Sequence, residues 1–262
     1  MDLSLLTEQV GLLLISFLAN LLSALAGGGA GLLQFPVLLF LGLSFATALA
    51  THKIASVALG VGATLRYLRE GSLDWRFAIF MLISGLPGVL IGANLILDLP
   101  QSWAILSLGT LTAGLGLYSV FKRDLGLEQQ LRHRDLGGML LGGLGLLLIG
   151  VLNGSLTSGT GLFVTLWLVR WFGFDYQRAV AHTMILVGLF WNGSGAVAVA
   201  LQTPPQWQWL PVLLLGSVLG AYFGAHLAIV KGNRLIKRSF ELLTLLVGAK
   251  LIWDGVSLLS GQ

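Results

Sequence analysis

Two runs of small residues hold most of the groups in this chain that could do chemistry. The first is Gly27-Gly28-Gly29-Ala30-Gly31. The second is Gly154-Ser155-Leu156-Thr157-Ser158-Gly159-Thr160-Gly161, with Asn153 just before it. Each run interrupts a hydrophobic stretch that otherwise reads as membrane helix. A bilayer core offers no water to bare backbone groups, so non-helical chain at depth persists only inside protein or beside a wet cavity. A helix that restarts after such a break presents unpaired N–H groups and a partial positive charge, which suit an oxyanion. Leu32 onward and Leu162 onward are the expected restarts. The hydroxyls of Ser155, Thr157, Ser158 and Thr160 can donate to the same oxygens, or back-bond to a neighbouring helix carbonyl. The substrate contacts expected from the breaks are Gly28, Gly29, Gly31, Asn153, Ser155, Thr157, Ser158, Thr160 and Gly161.

A second set of polar residues lies in or near apolar segments: Thr51, His52, Lys53, His182, Thr183 and Asn192. Ionisable groups in a membrane segment are costly and mark ion pathways or paired sites. Histidine also titrates near neutral pH, so His52 or His182 offers a route for proton coupling. Thr51, His52, His182, Thr183 and Asn192 join the expected site. Lys53 is read as an interfacial residue snorkelling to headgroups. No catalytic constellation is found, so the chain is not expected to be an enzyme. The first glycine run lacks the Gly-Lys-Ser/Thr of a phosphate-binding loop. The histidines are too scattered for a metal site, and no cofactor is expected.

The composition fits these readings. Of 262 residues, 56% are hydrophobic and 10% charged, against about 25% charged in soluble domains. That leaves an integral, multi-pass protein of the inner or plasma membrane with no room for a soluble domain. Cysteine is absent, which excludes disulfides and thiol chemistry. Ala24-Leu25-Ala26 imitates a signal cleavage site, but Asp2 and Glu8 stand where Lys or Arg belong, so the first segment is read as a retained helix. The net charge of +4 comes from short basic loops and does not suggest nucleic acid. Apolar segments run at roughly 9–26, 31–43, 46–66, 76–97 and 102–121, then 138–153, 160–173, 180–201, 209–230 and 239–259. Those following the glycine breaks are short of the ~20 residues that span a bilayer. Residues 1–121 form a first half, 122–137 a basic cytoplasmic connecting loop and 138–262 a second half, together one transmembrane domain.

The halves repeat. Gly29-x-Gly31-Leu32 matches Gly159-x-Gly161-Leu162. Ala48-Leu49-Ala50-Thr51-His52 matches Ala179-Val180-Ala181-His182-Thr183, and Gly92-Ala93-Asn94-Leu95 matches Gly224-Ala225-His226-Leu227. Five segments per half and one-sided basic loops give an all-α polytopic protein of two inverted repeats with broken helices. The count is eight to ten membrane segments, depending on whether the broken ones are re-entrant hairpins or crossings.

The run from Gly27 to Pro36 resembles the opening of the TauE/SafE sulfite-exporter family. So do Gly42-Leu43 leading to Ala48-x-Ala50-Thr51, Gly71-Ser72-Leu73-Asp74-Trp75, and Gly85-x-Pro87-Gly88-x-x-x-Gly92-Ala93. His52 and Lys53 depart from the small or hydroxylated residues more usual there. The resemblance implies a small permease for sulfite, thiosulfate or an organosulfonate such as sulfoacetate. The expectation is a secondary transporter working by alternating access, with a small anion, the lipid bilayer and in one version protons as partners, and with homo-oligomers open. A permease for another carboxylate or inorganic anion, or a non-transporting scaffold or enzyme subunit, are the alternatives.

Overall fold

The computed structural model describes residues 3–94, 101–155 and 159–260; these form helices and turns, with no strand among them. Seven helical stretches are long and apolar enough to cross a membrane: Leu6–Ala26, Ala46–Glu70, Trp75–Asn94, Leu136–Ser155, Tyr176–Ala200, Leu210–Lys231 and Asn233–Ser260. In chain order the elements are α1 (Leu3–Ala26), α2 (Ala30–Phe40), α3 (Phe45–Tyr67), α4 (Trp75–Asn94), α5 (Gln101–Phe121), α6 (Leu136–Ser155), α7 (Thr160–Arg170), α8 (Tyr176–His182), α9 (Asn192–Ala200), α10 (Leu210–Lys231) and α11 (Asn233–Ser260). A π-helical run, Thr183–Trp191, joins α8 to α9.

The residue distribution is that of a protein dissolved in lipid. Leu14 and Leu18 of α1, Ile83 of α4 and Leu140 of α6 face outward and are more than half exposed. Glycine, alanine and serine face inward. Such an apolar exterior would be a large liability in water. In a bilayer the tails match it, and helices associate instead through close backbone packing. Three helix pairs show this. α1 runs parallel to α10, with Gly216, Gly220 and Gly224 against the backbone of Leu13, Phe17 and Leu21. α4 runs parallel to α6, with Gly88 and Gly92 against Leu147 and Val151, and Gly150 and Gly154 against Gly85 and Val89. α5 and α11 run antiparallel, with Gly109 at Leu251–Ile252 and Gly255 at Leu106.

The segments after the glycine breaks are half-helices. α2 and α7 have 11 residues each, about 16 Å of helix against a core of about 30 Å. The expected 31–43 and 160–173 segments therefore do not cross. α2 instead folds back on α1, with Gln34 bonded to Ser16 and Leu38 packed in the same cluster as Leu12.

Candidate functional site

Both half-helices begin in the same way. Gly27, Gly28 and Gly29 have φ of 89°, 143° and 98°, a region closed to most side chains. The amides of Gly27 and Gly28 both donate to the Ser23 carbonyl (2.8 Å each), finishing α1. Gly29 then starts α2 as a left-handed N-cap, and Gly159 (φ 81°) does the same for α7. Neither supplies a side-chain cap bond; the Leu32 and Leu162 amides turn back to the Gly29 and Gly159 carbonyls, and those of Ala30, Gly31, Thr160 and Gly161 have no partner among the described residues.

The two breaks touch. A Cβ on Gly28 would lie 2.6 Å from the Leu162 nitrogen and 2.7 Å from the Gly161 carbonyl carbon. Across this junction Thr165 Oγ1 donates to the Gly27 carbonyl (2.7 Å) and lies 3.0 Å from Thr183 Oγ1. The N-termini of α2 and α7 thus converge from different parts of the chain on one cavity of about 40 Å³, room for about three water-sized positions. It is lined by Gly28, Gly29, Gly31, His52, Asn153, Thr160, Gly161 and Asn192 from the expected site, with Ser23, Ser56 and apolar residues completing it. No lining residue carries a carboxylate.

Side chains around the hollow hold each other in place. Asn153 Nδ2 donates to Thr160 Oγ1 (2.7 Å) and to Asn192 Oδ1 (3.3 Å), while Asn153 Oδ1 has no partner among the described residues. His52 Nδ1 is 2.7 Å from Gln34 Oε1, and Gln34 Nε2 donates to Ser16 Oγ. That oxygen of Gln34 can only accept, so Nδ1 carries the hydrogen and the neutral ring leaves Nε2 as its free acceptor. Ser16 continues the chain of bonds to the Leu213 carbonyl and to Ser217. This relay links α3, α2, α1 and α10.

Other expected residues lie elsewhere. Thr51 Oγ1 donates to the Thr47 carbonyl and accepts from the Gln206 amide. Ser155 back-bonds to Val151. Thr183 sits at the Thr165 junction beside the cavity, outside its lining. His182 is clamped: Nδ1–H donates to the Arg178 carbonyl, Nε2 accepts from the Asp74 amide, and Phe77 and Phe174 pack on the ring. Both ring nitrogens are used in tying the loop before α4 to α8. Thr157 and Ser158 lie outside the described residues. Of the residues the sequence reading missed, Ser56 follows His52 by one helical turn, and Ser23 matches Asn153 when the halves are aligned. Lys53 does not reach an interface: it is 2% exposed and donates to the Asn153 carbonyl at 2.7 Å.

A second, larger hollow of about 1080 Å³ gathers loops that the charge pattern placed on one side: Lys122, Arg123, Arg132, Arg170, Lys231 and Arg234 line it, with Asp124 and Glu128 the acidic members. The 122–135 loop is pinned there by bonds from Gln130 to the Gly173 carbonyl, from Arg132 to the Phe172 carbonyl and from Asn233 to the Leu127 carbonyl. Arg134 lies 4.3 Å over the Phe77 ring and 5.0 Å over Phe174. Burial among these rings lowers its guanidinium pKa, and Asp74 opposes the shift. Among the described residues no cluster of His, Asp or Glu could hold a metal.

Comparison with known proteins fits this architecture. A Haemophilus influenzae protein named "probable membrane transporter protein" is 31% identical over 240 residues, covering 92% of each chain. The probable membrane transporter protein YfcA of Escherichia coli K12 is 29% identical over 93% of this chain and 89% of its own. The Bacillus subtilis probable membrane transporter protein YunE is 22% identical over 94% and 97%. No solved structure is significantly similar. The sequence profile of the sulfite exporter TauE/SafE family matches residues 12–251, so the chain, a multi-pass membrane protein, belongs to that family.

Proposed function

We propose that this protein is a secondary transporter that carries a small anion across the cell membrane by alternating access around the two glycine breaks. One observation carries the reading: two half-helix N-termini, neither capped by a side chain, face the same carboxylate-free polar hollow. Partial positive charge from both, with hydroxyl and amide donors between them, is a site for an oxyanion. The hollow holds about as many water positions as sulfite or thiosulfate presents terminal oxygens, which favours such compact sulfur oxyanions, with organosulfonates such as sulfoacetate requiring it to widen. The names of the relatives support transport over catalysis.

Helix pairing supports two inverted repeats. When α1 is equated with α6 and α4 with α10, the parallel pair α1–α10 exchanges with α6–α4, and the antiparallel pair α5–α11 maps onto itself. A two-fold axis in the membrane plane requires both relations. The basic hollow then lies on the cytoplasmic side and concentrates anions there. His52 Nε2, free beside the hollow, is the group through which protons would couple.

Proteoliposome flux tests the reading with sulfite, thiosulfate, sulfoacetate, taurine and acetate, each with and without a pH gradient. Saturable flux of at least one sulfur anion is expected. A correctly folded, reconstituted protein that moves none of them removes the substrate assignment, and acetate flux alone moves it to carboxylates.

A further inference from the structure

Among the described residues, Lys53 is a buried cation without a carboxylate partner. Lys237, also buried, has Glu241 at 2.6 Å and Ser119 besides; Lys250 has Asp254 at 2.6 Å. Lys53 has one hydrogen bond among the described residues, to the Asn153 carbonyl, and no carboxylate within ion-pair distance. That carbonyl belongs to the last turn of α6, where the helix end offers only a partial negative charge. Two ammonium hydrogens remain unused. α9 makes room for the head group at Gly195, where a Cβ would stand 3.1 Å from Nζ. Acceptor capacity on the residue it bonds is also unspent: Asn153 Oδ1 is buried without a partner among the described residues. A full charge desolvated in this way is costly unless something neutralises it.

We propose that the missing partner is the transported anion, and that Lys53 is the positive end of the site. The inference rests on the anion-transport reading and adds a specific ion pair to it. His52 and Asn153, the residues adjacent to Lys53 in sequence and in hydrogen bonding, both line the cavity. Lys53 itself is not among the lining residues, so a passenger seated at the two half-helix ends would meet it only past His52 and Asn153. Movement of the Asn153 side chain, whose Oδ1 is unpaired, would bring ammonium and anion together. A negatively charged passenger is then favoured over a zwitterion such as taurine, whose own ammonium would compete with Lys53.

The test uses the full-length protein in nanodiscs, with thermal unfolding and direct binding measured for sulfite, thiosulfate, acetate and taurine. Lys53→Met keeps the length of the stem and removes the charge. It should weaken binding of the preferred anion by roughly thirtyfold or more and raise the unfolding temperature of the anion-free protein, because an unpaired buried charge has gone. Lys53→Arg should retain measurable binding. Lys250→Met, on an exposed pair, should change neither. If Lys53→Met binds the anion as tightly as the wild type, the inference fails while the transport reading stands. A lower anion-free unfolding temperature with unchanged affinity identifies Lys53 as a helix cap and also overturns it. Absence of binding by the folded wild type to every anion overturns both.

Discussion

Gly28→Ala is the sharpest probe of the junction between the breaks. Gly28 has φ 143°, where an L-residue is strained by about 1–2 kcal/mol. The added methyl would also stand 2.6 Å from the Leu162 nitrogen and 2.7 Å from the Gly161 carbonyl carbon, and these are backbone atoms that no rotamer change can move. Ordinary contact begins near 3.4 Å, so the half-helix ends must separate by most of an ångström. Overpacking of this kind costs about 1–3 kcal/mol. The two effects sum to about 2–5 kcal/mol against the closed arrangement, a population shift of roughly thirtyfold to several thousandfold at about 1.4 kcal/mol per decade. Flux should fall accordingly in proteoliposomes while membrane insertion persists. Gly159→Ala separates strain from collision: φ is 81°, but its nearest foreign atom is 3.4 Å away, so only the strain applies and the loss should be roughly five- to thirtyfold. Gly11→Ala, with nothing within 4 Å, should be neutral or slightly stabilising. Equal effects at Gly28 and Gly159 would refute the claim that the two breaks must touch.

Three further outcomes are expected. Thr165→Val leaves the Gly27 carbonyl without its donor, costing about 1–3 kcal/mol, and should lower the unfolding temperature by a few degrees in nanodiscs; an unchanged temperature would mean the bond is idle. Lys237→Met strands Glu241 at the α5–α11 contact and should destabilise by about 3–5 kcal/mol, with most of that recovered in the Lys237→Met/Glu241→Leu double variant, so additive losses on denaturation would refute the pairing. Because the chain contains no cysteine, Ser56→Cys gives a single labelling site in the cavity wall. It should react with a small methanethiosulfonate, and saturating transported anion should slow the reaction. A rate indifferent to anion would place the hollow off the pathway.

Much of the site was legible because glycine runs inside apolar sequence have few physical explanations. They marked where α1 ends, where α2 and α7 begin, and that Asn153, Thr160 and Gly161 would share one polar hollow. Segment length also marked α2 and α7 as short of a full span, while leaving hairpin arm and crossing both open. What stayed hidden depended on partners distant in sequence. His182 carries the same side chain as His52, yet its fate was set by the carbonyl of Arg178 and the amide of Asp74, 108 positions away. Lys53 read as a snorkelling residue because nothing local reveals that Asn153 will sit above it. Trp103, Trp207 and Trp209 all stand at segment ends, where tryptophan is expected at the interface; the first two are exposed, whereas Trp209 is 8% exposed and packs with Leu12 and Phe35. The π-helical run from Thr183 to Trp191, which sets Gly188 against Gly60, has no signal in residue type.

The glycine-lined pairs have a mechanical corollary. Where α1 meets α10 and α4 meets α6, glycines bring backbone onto backbone, and Ser16 ties α1 to α10 through Ser217 and the Leu213 carbonyl, so neither pair has much soft material with which to slide or splay. Each must travel as a stiff girder. Under the proposed alternating access, rearrangement is thereby pushed to the seam where the two half-helices abut, and the bond from Thr165 to the Gly27 carbonyl is one latch across it.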